Sequence, residues 1–136
     1  MHHLLDVAYD YDFMLFGLSC HERDYRLCWF LNNELGIQLE WSGTIKMALK
    51  EGSASHTIYR FVNTETEAII SLVSNRSEGS ILVPEWRQVD FLFKVDNGSE
   101  WDAEEVKEAF QKIDIIRTSF QLDVAGIKNK ENLIFD

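Results

Sequence analysis

The sequence predicts an α+β fold, a mainly antiparallel sheet with two principal helices packed on one face, and three observations predict it. Apolar residues alternate with polar ones over several short stretches, the two-residue period of half-buried strands. Two other stretches carry apolar residues every three or four positions behind a Ser or Asp with Glu three residues later, the form of a capped helix. A single proline and seven glycines among 136 residues leave no stretch with a linker's composition. Residues 1–136 are therefore expected to form one domain around one core.

Leu5, Val7, Tyr9, Tyr11, Phe13 and Leu15 alternate with Asp6, Ala8, Asp10, Asp12 and Met14, which predicts a first strand. Its aspartates are the oxygen ligands a hard cation takes, and the reading adopted for them is a solvated strand face. Ser19-Cys20-His21-Glu22 has the capping-box form and predicts a helix from Cys20. Leu27, Leu31 and Leu35 make its stripe, and Gly36 stands where a left-handed cap is wanted. Ile37, Leu39 and Trp41 predict a short strand ending at Ser42 and Gly43, and the Lys-, Ser- and Gly-rich stretch to Ser55 reads as a loop. Residues 58–62 and 68–73, joined by a polar turn at 63–66, read as a hairpin. His56 at its start reads as a satisfied or exposed histidine.

Residues 81–83 and 89–95 are extended pieces on either side of Pro84. Proline has no amide donor and drives its predecessor out of helical geometry, so a corner is expected. Beyond it Val89, Phe91, Phe93 and Val95 share one strand face, with Asp90, Leu92 and Lys94 on the other. Asp102-Ala103-Glu104-Glu105 repeats the capping box, with Trp101 and Val106 placed as a hydrophobic staple. Val106, Ala109, Phe110 and Ile113 make the stripe of this second helix. Residues 115–124 read as a last strand, and 125–136 as a polar tail closing on Leu133, Ile134 and Phe135. This order resembles a ferredoxin-like split β-α-β layout enlarged by a hairpin.

Twenty-three acidic against 13 basic side chains give a formal charge of −10, and no basic run relieves it. Such a surface repels phosphate backbones and anionic membranes, so neither nucleic acid nor membrane is an expected partner. Asp6 and Asp10 interrupt what a secretory signal would need to keep apolar, and no apolar run approaches a membrane span, so a cytoplasmic location is expected. In the expected helix Cys20 and Cys28 stand about 12 Å apart along the axis, beyond disulfide reach.

Val83-Pro84-Glu85-Trp86-Arg87-Gln88-Val89-Asp90-Phe91 resembles the signature after which the bacterial IPExxVDY family is named. Residues 16–21 with 24–27 are similar to that family's N-terminal helix entrance, and residues 130–135 to its ending. Val83 stands for the family isoleucine and Phe91 for its tyrosine, a change that loses a hydroxyl. The resemblance implies a small bacterial protein and brings no catalytic residue with it.

A thiol in the first turn of a helix feels the positive end of the dipole, which makes Cys20 the sharper candidate nucleophile. His21 diverges from it by about 100° and makes no ready base for it. His21, Asp24, Tyr25 and Cys28 share a helix face. The candidate binding residues are Cys20, His21, Asp24, Glu85 and Asp90. Against this stands an architectural account: Pro84 sets a corner, Glu85 or Asp90 accepts backbone amides there, Val89 and Phe91 enter the core, and both cysteines act as small buried hydrophobes. No catalytic residue, cofactor or metal is assigned. The expectation is a non-enzymatic interaction or regulatory module with a protein partner or as a homo-oligomer, docking through its apolar C-terminal end. The competing readings are a small-molecule binder or enzyme near Cys20, His21, Glu85 and Asp90, and a metal site among Cys20, His21, Cys28 and His56.

Overall fold

The computed structural model describes residues 13–98, 100–128 and 130–134. Its strands are β1 (Met14–Ser19), β2 (Glu40–Ala48), β3 (Ser53–Val62), β4 (Ile69–Ser74), β5 (Arg76–Ser77), β6 (Ser80–Ile81), β7 (Phe91–Asp96) and β8 (Thr118–Gln121), and its helices are α1 (Asp24–Leu35) and α2 (Ala103–Gln111). Six strands form one sheet in the order β2-β3-β4-β7-β1-β8, and β5 and β6 pair separately. All five neighbouring pairs of the large sheet are antiparallel. This is the expected α+β class. On the enlarged split β-α-β layout, the bearing fact is that β4, β7, β1 and β8 are contiguous while β2 and β3 extend one end.

Both helices lie on one face. Leu27, Cys28 and Leu31 of α1 and Val106 and Phe110 of α2 pack with Phe16, Leu18, Ile70, Leu72, Phe91, Phe93 and Val95 from the strands. Phe110 stands edge-on to Phe16 and Phe93 at 5.5 and 5.2 Å between ring centres. Such geometry adds about 0.5–1.5 kcal/mol per pair to the burial itself. The second face has its own core of Leu15, Ile58, Val73, Leu82, Val83, Val89, Leu92, Leu122, Val124, Ile127 and Leu133. Among the described residues no α-helix covers it; the loop through the signature and the C-terminal segment do.

Several boundaries depart from expectation for identifiable reasons. The first helix begins at Asp24, with Arg23 at its cap and no side-chain cap bond, because Ser19 is already the last residue of β1, opposite Thr118. Its end at Leu35 and the left-handed Gly36 (φ 66°) are as expected. The stretch read as a loop before Ser55 is a long hairpin, since a bulge between Trp41 and Gly43 lets β2 continue to Ala48 against Ser53. The hairpin of β3 and β4 forms as predicted, its turn held by Asn63 Oδ1, which accepts from the Glu65 amide at 3.0 Å. The expected 81–83 strand shrinks to β6, and Pro84 opens a 3₁₀ turn, Pro84–Trp86. Asp102 caps α2 by accepting from the Glu104 amide at 2.9 Å.

The segment expected to be a polar tail packs instead. Two 3₁₀ turns, Val124–Gly126 and Lys130–Leu133, place Ile127 and Leu133 in the second core, with Leu133 fully buried. Its polar composition hid these apolar anchors. Buried Lys94 of the central strand β7 donates to the Leu133 carbonyl at 2.6 Å, lies 3.3 Å from Asp96 and sits 4.4 Å over the Phe13 ring. The first-strand expectation over residues 5–12, with Asp6, Asp10 and Asp12, and Phe135 at the other end lie outside the described residues.

Candidate functional site

The signature residues converge on one buried polar side chain, Asn75, which in the sequence is indistinguishable from the polar turn residues that follow it. Its amide nitrogen donates to the Trp86 and Val89 carbonyls at 3.0 Å each, and its oxygen accepts from the Val83 amide at 2.9 Å. Its backbone donates to the Asp90 carbonyl and accepts from the Leu82 amide. The loop from 82 to 90, with no regular ladder of its own, is thus tied at five points to one residue. Beside it His56 is fully buried, Nδ1 donating to the Ser74 carbonyl at 2.8 Å and Nε2 meeting the Ser80 hydroxyl at 2.9 Å. A carbonyl can only accept, so Nδ1 carries the proton.

Glu85 and Asp90 both serve backbone amides. Asp90 Oδ2 accepts from the Cys20 amide at 2.9 Å, and the Asp90 amide donates to Leu18, so the acid clamps the end of β1 to the signature. Glu85 is exposed and accepts from the Lys128 amide at 2.8 Å, which holds its carboxyl below the ordinary range. Val89 enters the core where Gly17 makes room: a Cβ there would meet the Val89 Cγ1 at 2.7 Å. This is the architectural account in its particulars.

The five candidate residues do not form one site. Cys20 belongs to the core on the helix face, whereas the chain around Glu85 frames the core on the other face. Cys20 is outside the helix, so no dipole activates it; burial is the largest influence and pushes its thiol up, the Glu22 amide opposes it, and the charges of Glu22 and then Asp90 add smaller rises. Cys28 is pushed up to about 12 by burial and by Asp24. Both are free thiols and are protonated at neutral pH. His21 is exposed beside Arg117, with ring nitrogens 3.1 and 3.3 Å from its Nη1. Among the described residues no three His, Cys, Asp or Glu side chains gather as metal ligands.

Asp24 is the one candidate that nucleates a cluster. Its carboxylate accepts from the Thr57 hydroxyl at 2.9 Å and helps raise Tyr59 to about 12, burial being the larger cause. The group joins α1 to β3, and its Tyr59 phenol and Cys28 thiol hold their protons at neutral pH. An open groove of about 390 Å³ between α1 and α2 is lined by Glu34, Trp101, Glu105 and Glu108 among others and holds no histidine or cysteine.

What is most out of place lies on the surface. Tyr25, Trp29 and Trp41 are 65, 62 and 63% exposed. Trp29 stands edge-on to Phe30 at 5.0 Å, and Arg26 lies 5.6 Å over that ring. Asn32 ties α1 to the chain entering β2 through Leu39, accepting from its amide at 2.8 Å, and Trp41 pairs with Tyr59. The end of α1 is thus tied to the connection that leads into the edge strand β2. Trp29 was findable: it sits two residues from both Leu27 and Leu31, on the far side of the helix from the stripe. Trp41 was not, because alternation does not say which strand ends the sheet.

No protein-family model, curated protein or solved structure matches the chain. Among the described residues no helix is long and apolar enough to cross a membrane.

Proposed function

We propose that the protein is a non-enzymatic interaction module, self-associating or holding a protein partner, that binds through the exposed aromatic side chains of α1 and of the edge strand β2. One observation carries this: Tyr25, Trp29 and Trp41 keep more than three-fifths of their surface in water, while the largest fully buried side chains include Phe16, Phe93 and Phe110. Tyrosine and tryptophan dominate interface energetics because they bring large rigid apolar area with a polar handle. The signature, read as that of the IPExxVDY family, serves the scaffold in this proposal. Of the apolar C-terminal end, Leu133 is buried in the protein's own second core and so is not offered to a partner. A cytoplasmic setting, away from membranes and nucleic acid, belongs to the same proposal and is supported by the charge of −10.

Trp29→Glu tests it, because the exposed position leaves the core untouched. A bound protein, a second copy included, should be recovered with the wild type from bacterial cells and lost with Trp29→Glu. A wild type that is monomeric and captures nothing specific overturns the proposal.

A further inference from the structure

We infer that the occupant of this surface is a second copy of the chain, joined by antiparallel pairing of β2 with β2 about a two-fold axis at Ile45, which rests on the interaction role proposed above and deepens it. Among the described residues β2 ends the sheet, and it is nine residues long against four for β8 at the other end. A long end strand presents a row of outward amides and carbonyls that pair readily with another strand. The bulge at Trp41 and Gly43 blunts only its start, leaving positions 43–48 in regular register against 53–58.

Charge selects the partner and the direction. The strand starts at Glu40, bears Lys46 near its end and is followed by Lys50. A two-fold axis at Ile45 reverses the second strand, setting the Glu40 end beside Lys50 of the second copy and Thr44 opposite Lys46 of the second copy. Parallel pairing in register would stack lysine on lysine. The two faces agree with this. Ile45 and Met47 are half-buried on the rim of the second core, and the axis sets Ile45 on Ile45 and Met47 on Gly43, extending that core across the join. On the helix face Trp41 lies diagonal to Lys46 of the second copy, within cation–π reach.

The helices fit as well. Asp24 ties α1 to β3 through Thr57, so three strand spacings, about 14 Å, separate the two copies of α1. Helices in direct contact stand about 8–10 Å apart. The remaining gap lies over the paired strands, on the face where Trp41 of each copy stands.

Sedimentation of the wild type with Thr44→Lys and Thr44→Glu, both at an exposed position, tests the pairing. A concentration-dependent dimer is expected, about tenfold weaker in Thr44→Lys, where like charges meet twice across the axis, and tighter in Thr44→Glu. Amide exchange at positions 43–48 should slow as the dimer fills. A wild type that stays monomeric, or two variants that move the dimer in the same direction, overturns the edge pairing. The interaction role itself would then still stand on any partner lost with Trp29→Glu.

Discussion

At the scale of single residues, the most consequential side chain is an asparagine. Asn75 is fully buried and satisfies two carbonyls and an amide of the signature loop. Asn75→Ala strands the Val83 amide and the Val89 carbonyl in the core, while the Trp86 carbonyl keeps the Val89 amide, and each unsatisfied buried group costs about 1–3 kcal/mol. Urea unfolding should show a loss of about 2 kcal/mol or more. Glu85→Gln keeps an oxygen for the Lys128 amide at an exposed site and should stay within about 0.5 kcal/mol of wild type. The thiols give a pH signature. Cys28 is raised to about 12 and Tyr59 likewise, so the native state holds both protons more tightly than the unfolded chain. The stability this contributes is whole below the unfolded thiol value of about 8.5 and is lost as pH rises towards the folded values. The thermal midpoint should therefore fall between pH 9 and 11, less steeply in Cys28→Ala.

At the scale of elements, the two capping boxes show what a motif can and cannot say. Both have the right residues at the right spacing, yet only Asp102 caps a helix. Ser19 is committed to pairing with Thr118, a long-range partner invisible in local sequence. Asp102→Ala should cost about 1 kcal/mol of stability, whereas Ser19→Ala, which removes only a 3.4 Å contact to the Gln88 carbonyl, should lose well under half of that. The strands of the core were legible because their alternation is strong: Phe91, Phe93 and Val95 face one core and Leu92 the other. Val89, expected on the face of Phe91, instead lies before β7 and enters the second core, because the signature loop breaks the alternation there. The β2 hairpin was not, because an edge strand has little to bury and its Lys, Ser and Gly content is that of a loop. The C-terminal segment was misjudged for a related reason. Its anchors are single residues between polar ones, with no period to betray them. Leu133→Ala removes a fully buried side chain and should cost about 2–5 kcal/mol by the same unfolding measurement.

At the scale of the whole molecule, composition excluded more than it identified. Neither the role of Asn75 nor the tie of α1 to β3 through Asp24 and Thr57 can be derived from periodicity, since both depend on contacts between distant segments. Net charge, by contrast, is global and bears directly on the proposed dimer. Each copy carries −10, so two copies repel, while the ion contacts proposed across the β2 join are few and exposed, worth about 0–1 kcal/mol each. Salt weakens both effects, but the repulsion sums over the whole surface and acts at longer range. Raising ionic strength from 0.01 to 0.15 M shortens the screening length from about 30 to about 8 Å, which silences distant repulsion more than adjacent attraction. Sedimentation at the two salt concentrations should show the dimer tightening with salt. Weakening would mean that local ion pairs dominate the join, which the exposed aromatic side chains and the short charged list of β2 argue against.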